Sequence, residues 1–208
     1  MNKINKQGFL GQPSYFFVEE GTGRMFRRIA GGMSWPGANP GALVVVGEDL
    51  NPDRALNERK LRVLAEYESR SLSELVVRCE ELQGLMGVED FYCDTTNQSM
   101  MRLFYQGEFK VSLSKAPLVD MQESHITYLQ LISEKSSTAK KVLFFEKGSG
   151  LSETLSSLPD MPTDLKSEYP LISALGYALS ALVLYAYENP GQTTSINYSK
   201  PLDPIIGF

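Results

Sequence analysis

Two carboxylates in this chain stand where they could hold a divalent metal. Asp94 follows the apolar run Phe91-Tyr-Cys93 and leads into Thr95, Thr96 and Asn97, so it is delivered off the end of a strand. Open sheets gather their ligands at the carboxyl ends of strands. Glu168 stands just before Pro170, at the head of a long apolar helix. Should the two meet, the chemistry is metal-dependent phosphodiester hydrolysis with Mg²⁺ or Mn²⁺. Hard cations take oxygen ligands, and two of them about 4 Å apart activate a water and stabilise the leaving oxygen. Asp49, beside Glu48 at the end of an earlier valine-rich strand, is a further candidate metal ligand. The first two acids also have a structural use: Asp94 can close a turn or cap a helix with Thr95, Thr96 and Asn97, and Glu168 sits where an anion favours a helix dipole.

Other chemistries fare worse. The chain has no Gly-x-x-x-x-Gly-Lys-Ser/Thr, which argues against a P-loop ATPase. Glu146-Lys-Gly-Ser-Gly150 lacks the spacing of a phosphate cradle. The lone histidine, His125, falls in the first turn of a helix with no nucleophile motif beside it and reads as a surface residue. Cys79 and Cys93 read as small core residues in a reducing, cytoplasmic setting, since neither their number nor their spacing suits a metal finger.

The 208 residues fit one domain, and 42% hydrophobic with 22% charged residues is ordinary for a globular protein. A net charge of −5 supplies no global field toward DNA or anionic membrane. Nucleic-acid contact would need a local patch, for which Arg24, Arg27 and Arg28 are one candidate and Arg54, Arg59, Lys60 and Arg62 another; solvated hairpin ends are the alternative. The N-terminus lacks the apolar run of a secretion signal. Leu171 to Tyr187 is free of charge but shorter than the roughly 20 residues a bilayer needs, so a covered central helix is expected and no membrane span.

The elements that must position these acids follow from periodicity and punctuation. Residues 1–24 form an N-terminal arm whose Tyr15-Phe-Phe-Val18 could be an edge strand. A strand over Met25–Ala30 ends at Gly31-Gly32, and Ala42–Val46 has the continuous apolar character of a strand covered on both faces. Lys60–Glu68 alternates as a half-buried strand should, with Leu64 as the exception. Ser71-Leu-Ser-Glu74 matches a capping box and opens a helix that stops near Gly87. Strands follow at Asp90–Thr95, Lys110–Leu113 and Val142–Phe145, with helices at Met100–Tyr105, Glu123–Lys135, Leu151–Leu158 and Leu171–Tyr187. Residues 189–208 form a tail, and its end, Pro201–Phe208, is a possible partner segment or packs on its own domain.

Three consecutive strands followed by strands alternating with helices indicate an α/β fold, a ribonuclease H-like mixed β-sheet flanked by helices on both faces over residues 25–188. The succession resembles the nuclease domain of phage terminase large subunits. The matching pieces are Arg28–Ala42 leading into Leu43–Val46, then Lys60–Ser69, Phe91–Thr96, Val111–Ile132 and Tyr169–Leu179. The resemblance implies metal-dependent cleavage of double-stranded DNA during genome packaging, in the cytoplasm of a host cell, with Asp94 and Glu168 as surviving catalytic and metal ligands. It also implies a separate ATPase motor or portal protein as partner. Two departures bear on activity. Ser34 stands where the family's first strand runs into an Asp, and Glu168 is displaced from the family's helix-opening Asp. Losing a bridging carboxylate weakens both metal sites, so cleavage is expected to be weak or absent. A non-catalytic DNA-binding or packaging-complex module on the same fold is the rival, and a resolvase or exonuclease of that fold a third reading.

Overall fold

The computed structural model describes residues 2–8, 15–50, 60–107, 109–116, 143–145, 149–157 and 169–188, with side chains to Leu182 in the last segment. The strands are β1 (Ile4–Gly8), β2 (Tyr15–Glu19), β3 (Met25–Ser34), β4 (Gly41–Asp49), β5 (Leu61–Ser69), β6 (Phe91–Cys93), β7 (Leu113–Lys115) and β8 (Leu143–Phe144). The helices are α1 (Leu72–Met86), α2 (Gln98–Gln106), α3 (Gly150–Ser157) and α4 (Pro170–Glu188). The strands join one eight-stranded sheet. Strands β3, β4 and β5 form an antiparallel meander. On the other flank of β3, β6 runs parallel to it and β7 parallel to β6. The order through the middle is therefore β5-β4-β3-β6-β7. The β1–β2 hairpin lies along the first residues of β3, and β8 runs parallel to the start of β5. This is a mixed α/β architecture with a mainly antiparallel sheet.

The apolar run of β4 explains why both faces are covered. Ala42, Val44 and Val46 enter one core with Ile172, Leu175 and Leu179 of α4, while Leu43 and Val45 enter the other with Leu75, Cys79 and Leu82 of α1. Each large aliphatic side chain so buried contributes about 1.5–3 kcal/mol. Helix α4, free of charge up to Glu188, is buried from Pro170 to Leu182, the covered central helix expected of its composition. Among the described residues no helix is long and apolar enough to cross a membrane.

Several boundaries differ from expectation. Gly31-Gly32 does not end β3, which runs on to Ser34. A Cβ on Gly32 would stand 1.9 Å from the Ala174 carbonyl oxygen and 2.7 Å from the Ala178 nitrogen, so the glycine is a place of close helix approach rather than a turn. The alternation of β5 reverses at a bulge between Val45 and Val46 of β4, where Ala65 and Val63 are the partners and Leu64 is the extra residue. Leu61 and Val63 consequently enter the α4 core, but Leu64, Ala65 and Tyr67 the α1 core. The strand expected at Lys110–Leu113 lies at Leu113–Lys115, and β1, within the expected arm, has no strong apolar pattern to announce it. Ser71 caps α1 by accepting from Glu74 N at 3.3 Å, and Gly87 closes the helix at φ 68°, a left-handed conformation that suits glycine. Only half of the capping box forms, because the Glu74 carboxylate takes the Ser69 hydroxyl instead.

Candidate active site

Parallel pairing of β3 with β6 sets Gly32 beside Tyr92 and Met33 beside Cys93. One residue further, Ser34 and Asp94 leave the ladder at adjacent strand ends. The Trp35 indole N–H donates to the Asp94 carbonyl at 2.7 Å and ties the two ends together. Ser34 is buried, and its Oγ accepts from the Ala42 N–H at 3.0 Å. Asp94 is half-buried, and its Oδ1 accepts from the N–H of Thr96 at 2.9 Å and from the Thr96 hydroxyl. The turn expected as a structural use of Asp94 is therefore formed. The cap of α2 belongs to Asn97, whose Oδ1 accepts from Met100 N at 3.2 Å.

Helix α4 approaches this end of the sheet with its first turn. Ala174 and Ala178 lie against Gly32, and the Arg28 guanidinium donates to the Leu182 carbonyl at 2.7 Å. Higher numbers in α4 thus meet lower numbers in β3, so the two run antiparallel. Pro170 is one turn before Ala174, about 6 Å along the axis toward Ser34. Tyr169 packs on the same core. Glu168 itself lies outside the described residues, as do His125, Arg54, Arg59 and the tail.

Two acids that spacing alone did not single out share this face. Ser34 pairs with Ala42 and Ala42 with Glu68, placing Glu68 two strands away, roughly 10 Å. Burial, and then the neighbouring charge of Glu66, raise the Glu68 carboxyl above its usual range. Glu66 accepts from the Ser149 hydroxyl at 2.8 Å and from the N–H groups of Gly150 at 2.6 Å and Leu151 at 3.2 Å, which makes it the cap of α3. The signal for both lay in the polar positions of the β5 alternation.

Asp49 is not brought to this site. Strand β4 runs antiparallel to β3, so Asp49 lies seven residues from Ala42, at the far end of the sheet, roughly 23 Å from Ser34's partner. Its Oδ2 meets Arg62 Nη2 at 3.4 Å, and the guanidinium stacks over Phe144. Glu48 is likewise engaged, with Arg28 at 3.0 Å. Three described members of the candidate basic patches are paired: Arg24 with Glu19, Arg28 with Glu48 and Arg62 with Asp49. Both cysteines are free and buried. Burial holds the Cys79 thiol far above its usual range and pushes Cys93 up to about 12.

Among the described residues no three His, Cys, Asp or Glu side chains gather as a metal-binding group. The described part of the site offers one carboxylate and a hydroxyl at adjacent positions, which does not fit a pair of divalent cations. Comparison of the chain with protein-family models, curated proteins and solved structures finds no match.

Proposed function

We propose that this chain is a ribonuclease H-like domain akin to terminase nuclease domains, one that engages double-stranded DNA and has lost most of its cleavage chemistry. One juxtaposition carries this reading: Ser34 and Asp94 at adjacent ends of the parallel strands β3 and β6. Two-metal hydrolysis calls for a carboxylate at both positions, and a hydroxyl brings no charge to offset the repulsion between two cations. The strand order supports the kinship, with an antiparallel meander followed by two parallel strands on the far side of its first member. The direction of α4 supports it too, since its first turn heads toward the same end. A packaging role would also call for an ATPase motor and a portal protein as partners, since these 208 residues contain no Gly-x-x-x-x-Gly-Lys-Ser/Thr loop. The purely non-catalytic module is the limit of the same reading, favoured by the Asp94 carboxylate being bonded to Thr96.

The test is a supercoiled plasmid incubated with the protein and Mn²⁺ at low salt. The plasmid is expected to be retained in a gel shift while staying largely uncut. Robust cutting that Asp94→Ala abolishes would overturn the loss of chemistry, and absence of any shift at low salt would overturn engagement of DNA.

A further inference from the structure

We infer that the groove along α2 holds a single DNA strand next to the Ser34–Asp94 end of the sheet, with a phosphate on Arg102 and a base against Tyr105. This rests on the proposed engagement of DNA and adds where, and in what form, the strand is held. The groove is open, about 600 Å³ in volume, and lined by Thr95, Gln98, Met101, Arg102, Tyr105 and Gln106. Gln98, Met101, Arg102, Tyr105 and Gln106, spaced by three and four residues, form one face of α2, and Thr95 precedes the helix. The groove begins at Thr95, the residue after Asp94, so a strand lying in it leads straight to the candidate site.

The lining suits one ligand chemistry. Among the described residues the groove is lined by one cation and no carboxylate, in a chain whose net charge is −5. Among the described residues Arg102 has no ion-pair partner, whereas Arg24, Arg28, Arg62 and Arg78 each have one. Tyr105 is 70% exposed, so its ring is open to a stacking partner. Phe104 is buried in the α1-side core and Met101 packs against it, while Gln98, Arg102, Tyr105 and Gln106 of the groove face are exposed. An arginine for the phosphate, an aromatic ring for the base and flanking amides for the base edge are the parts by which proteins bind unpaired strands. A base stacked on Tyr105 must be out of a duplex, which is why the occupant is a single strand and not the double helix.

Fluorescence anisotropy with three labelled probes tests this: a blunt duplex, the same duplex with a single-stranded overhang of about ten nucleotides, and the overhang strand alone. The overhang and single-strand probes are expected to bind about tenfold tighter than the blunt duplex. Tyr105→Ala should abolish that advantage, and Arg102→Gln should weaken both by several-fold and lower the salt slope by about one. Arg78→Gln, on α1, should bind as wild type. Both groove side chains are exposed, so the fold is expected to survive, with circular dichroism as the check. Equal binding of all three probes, or tight overhang binding that neither groove variant alters, would overturn the inference while leaving DNA engagement standing. Failure of every probe to bind would instead overturn the proposed engagement of DNA, and this inference with it.

Discussion

Replacing Gly32 by alanine should pry α4 from the sheet. The added methyl would sit 1.9 Å from the Ala174 carbonyl oxygen and 2.7 Å from the Ala178 nitrogen. Both are backbone atoms of a buried helix, so no side-chain rotation relieves the contact. A carbon needs more than 3 Å from either, which requires α4 to retreat by over an ångström along the seam formed by Ala174, Leu175, Ala178 and Leu179. Overpacking costs about 1–3 kcal/mol, and a collision with backbone on two sides belongs at the upper end. A loss of about 3 kcal/mol is roughly a hundredfold in the folding equilibrium. In urea, with a slope of about 2 kcal/mol per molar, the midpoint should fall by about 1.5 M. Trp35, the chain's one tryptophan, reports on the strand end by fluorescence, and circular dichroism reports on the helices. Gly84→Ala is the control: it lies inside α1 with nothing within 4 Å of the new methyl. It should gain about 0.5–1 kcal/mol. A Gly32→Ala protein as stable as wild type would refute the packing of α4 on β3, and with it the approach of that helix to Asp94.

Two further outcomes follow from buried ionisable groups. Arg28→Met removes the guanidinium that meets Glu48 at 3.0 Å, where the Glu48 side chain is only 3% exposed, so stability should drop by about 3 kcal/mol in the same titration; a change under about 0.5 kcal/mol would mean that the pair is solvated. Burial pushes the Cys93 thiol from its ordinary 9.0 up to about 12. An unfolded chain therefore releases this proton first, and stability is full below pH 9 and declines as pH rises toward 12. Cys93→Ala should flatten that decline, and native protein should leave a thiol reagent unreacted at pH 8 until denaturant is added. Rapid reaction of the native thiols would contradict their burial.

Much of the architecture was legible in local signals. The valine run of β4 announced a strand covered on both faces, Ser71 and Gly87 marked the two ends of α1, and the uncharged stretch after Pro170 announced a covered helix. Asp94 was readable because an apolar strand gives way there to Thr95, Thr96 and Asn97. What escaped depends on neighbours that periodicity does not encode. Gly31-Gly32 has the composition of a turn, and only its pairing with β4 and β6 makes it strand. Leu64 broke the alternation visibly, but that the strand turns its faces over at that point depends on its pairing with β4. Asp49 looked eligible because it ends a strand, as Asp94 does. Strand direction then separates them, since an antiparallel neighbour puts its carboxyl end at the opposite edge. Glu66 and Glu68 carry no site signal of their own, because polar residues alternating in a half-buried strand are ordinary.

The most direct measurement restores the carboxylate proposed to be missing. Ser34→Asp protein, checked for native circular dichroism, is assayed for nicking of supercoiled plasmid with Mn²⁺ beside wild type and the double variant Ser34→Asp, Asp94→Ala. The account expects at least a tenfold gain in nicking with Ser34→Asp, and its loss in the double variant. A folded Ser34→Asp protein no more active than wild type, or a gain that survives Asp94→Ala, would contradict it.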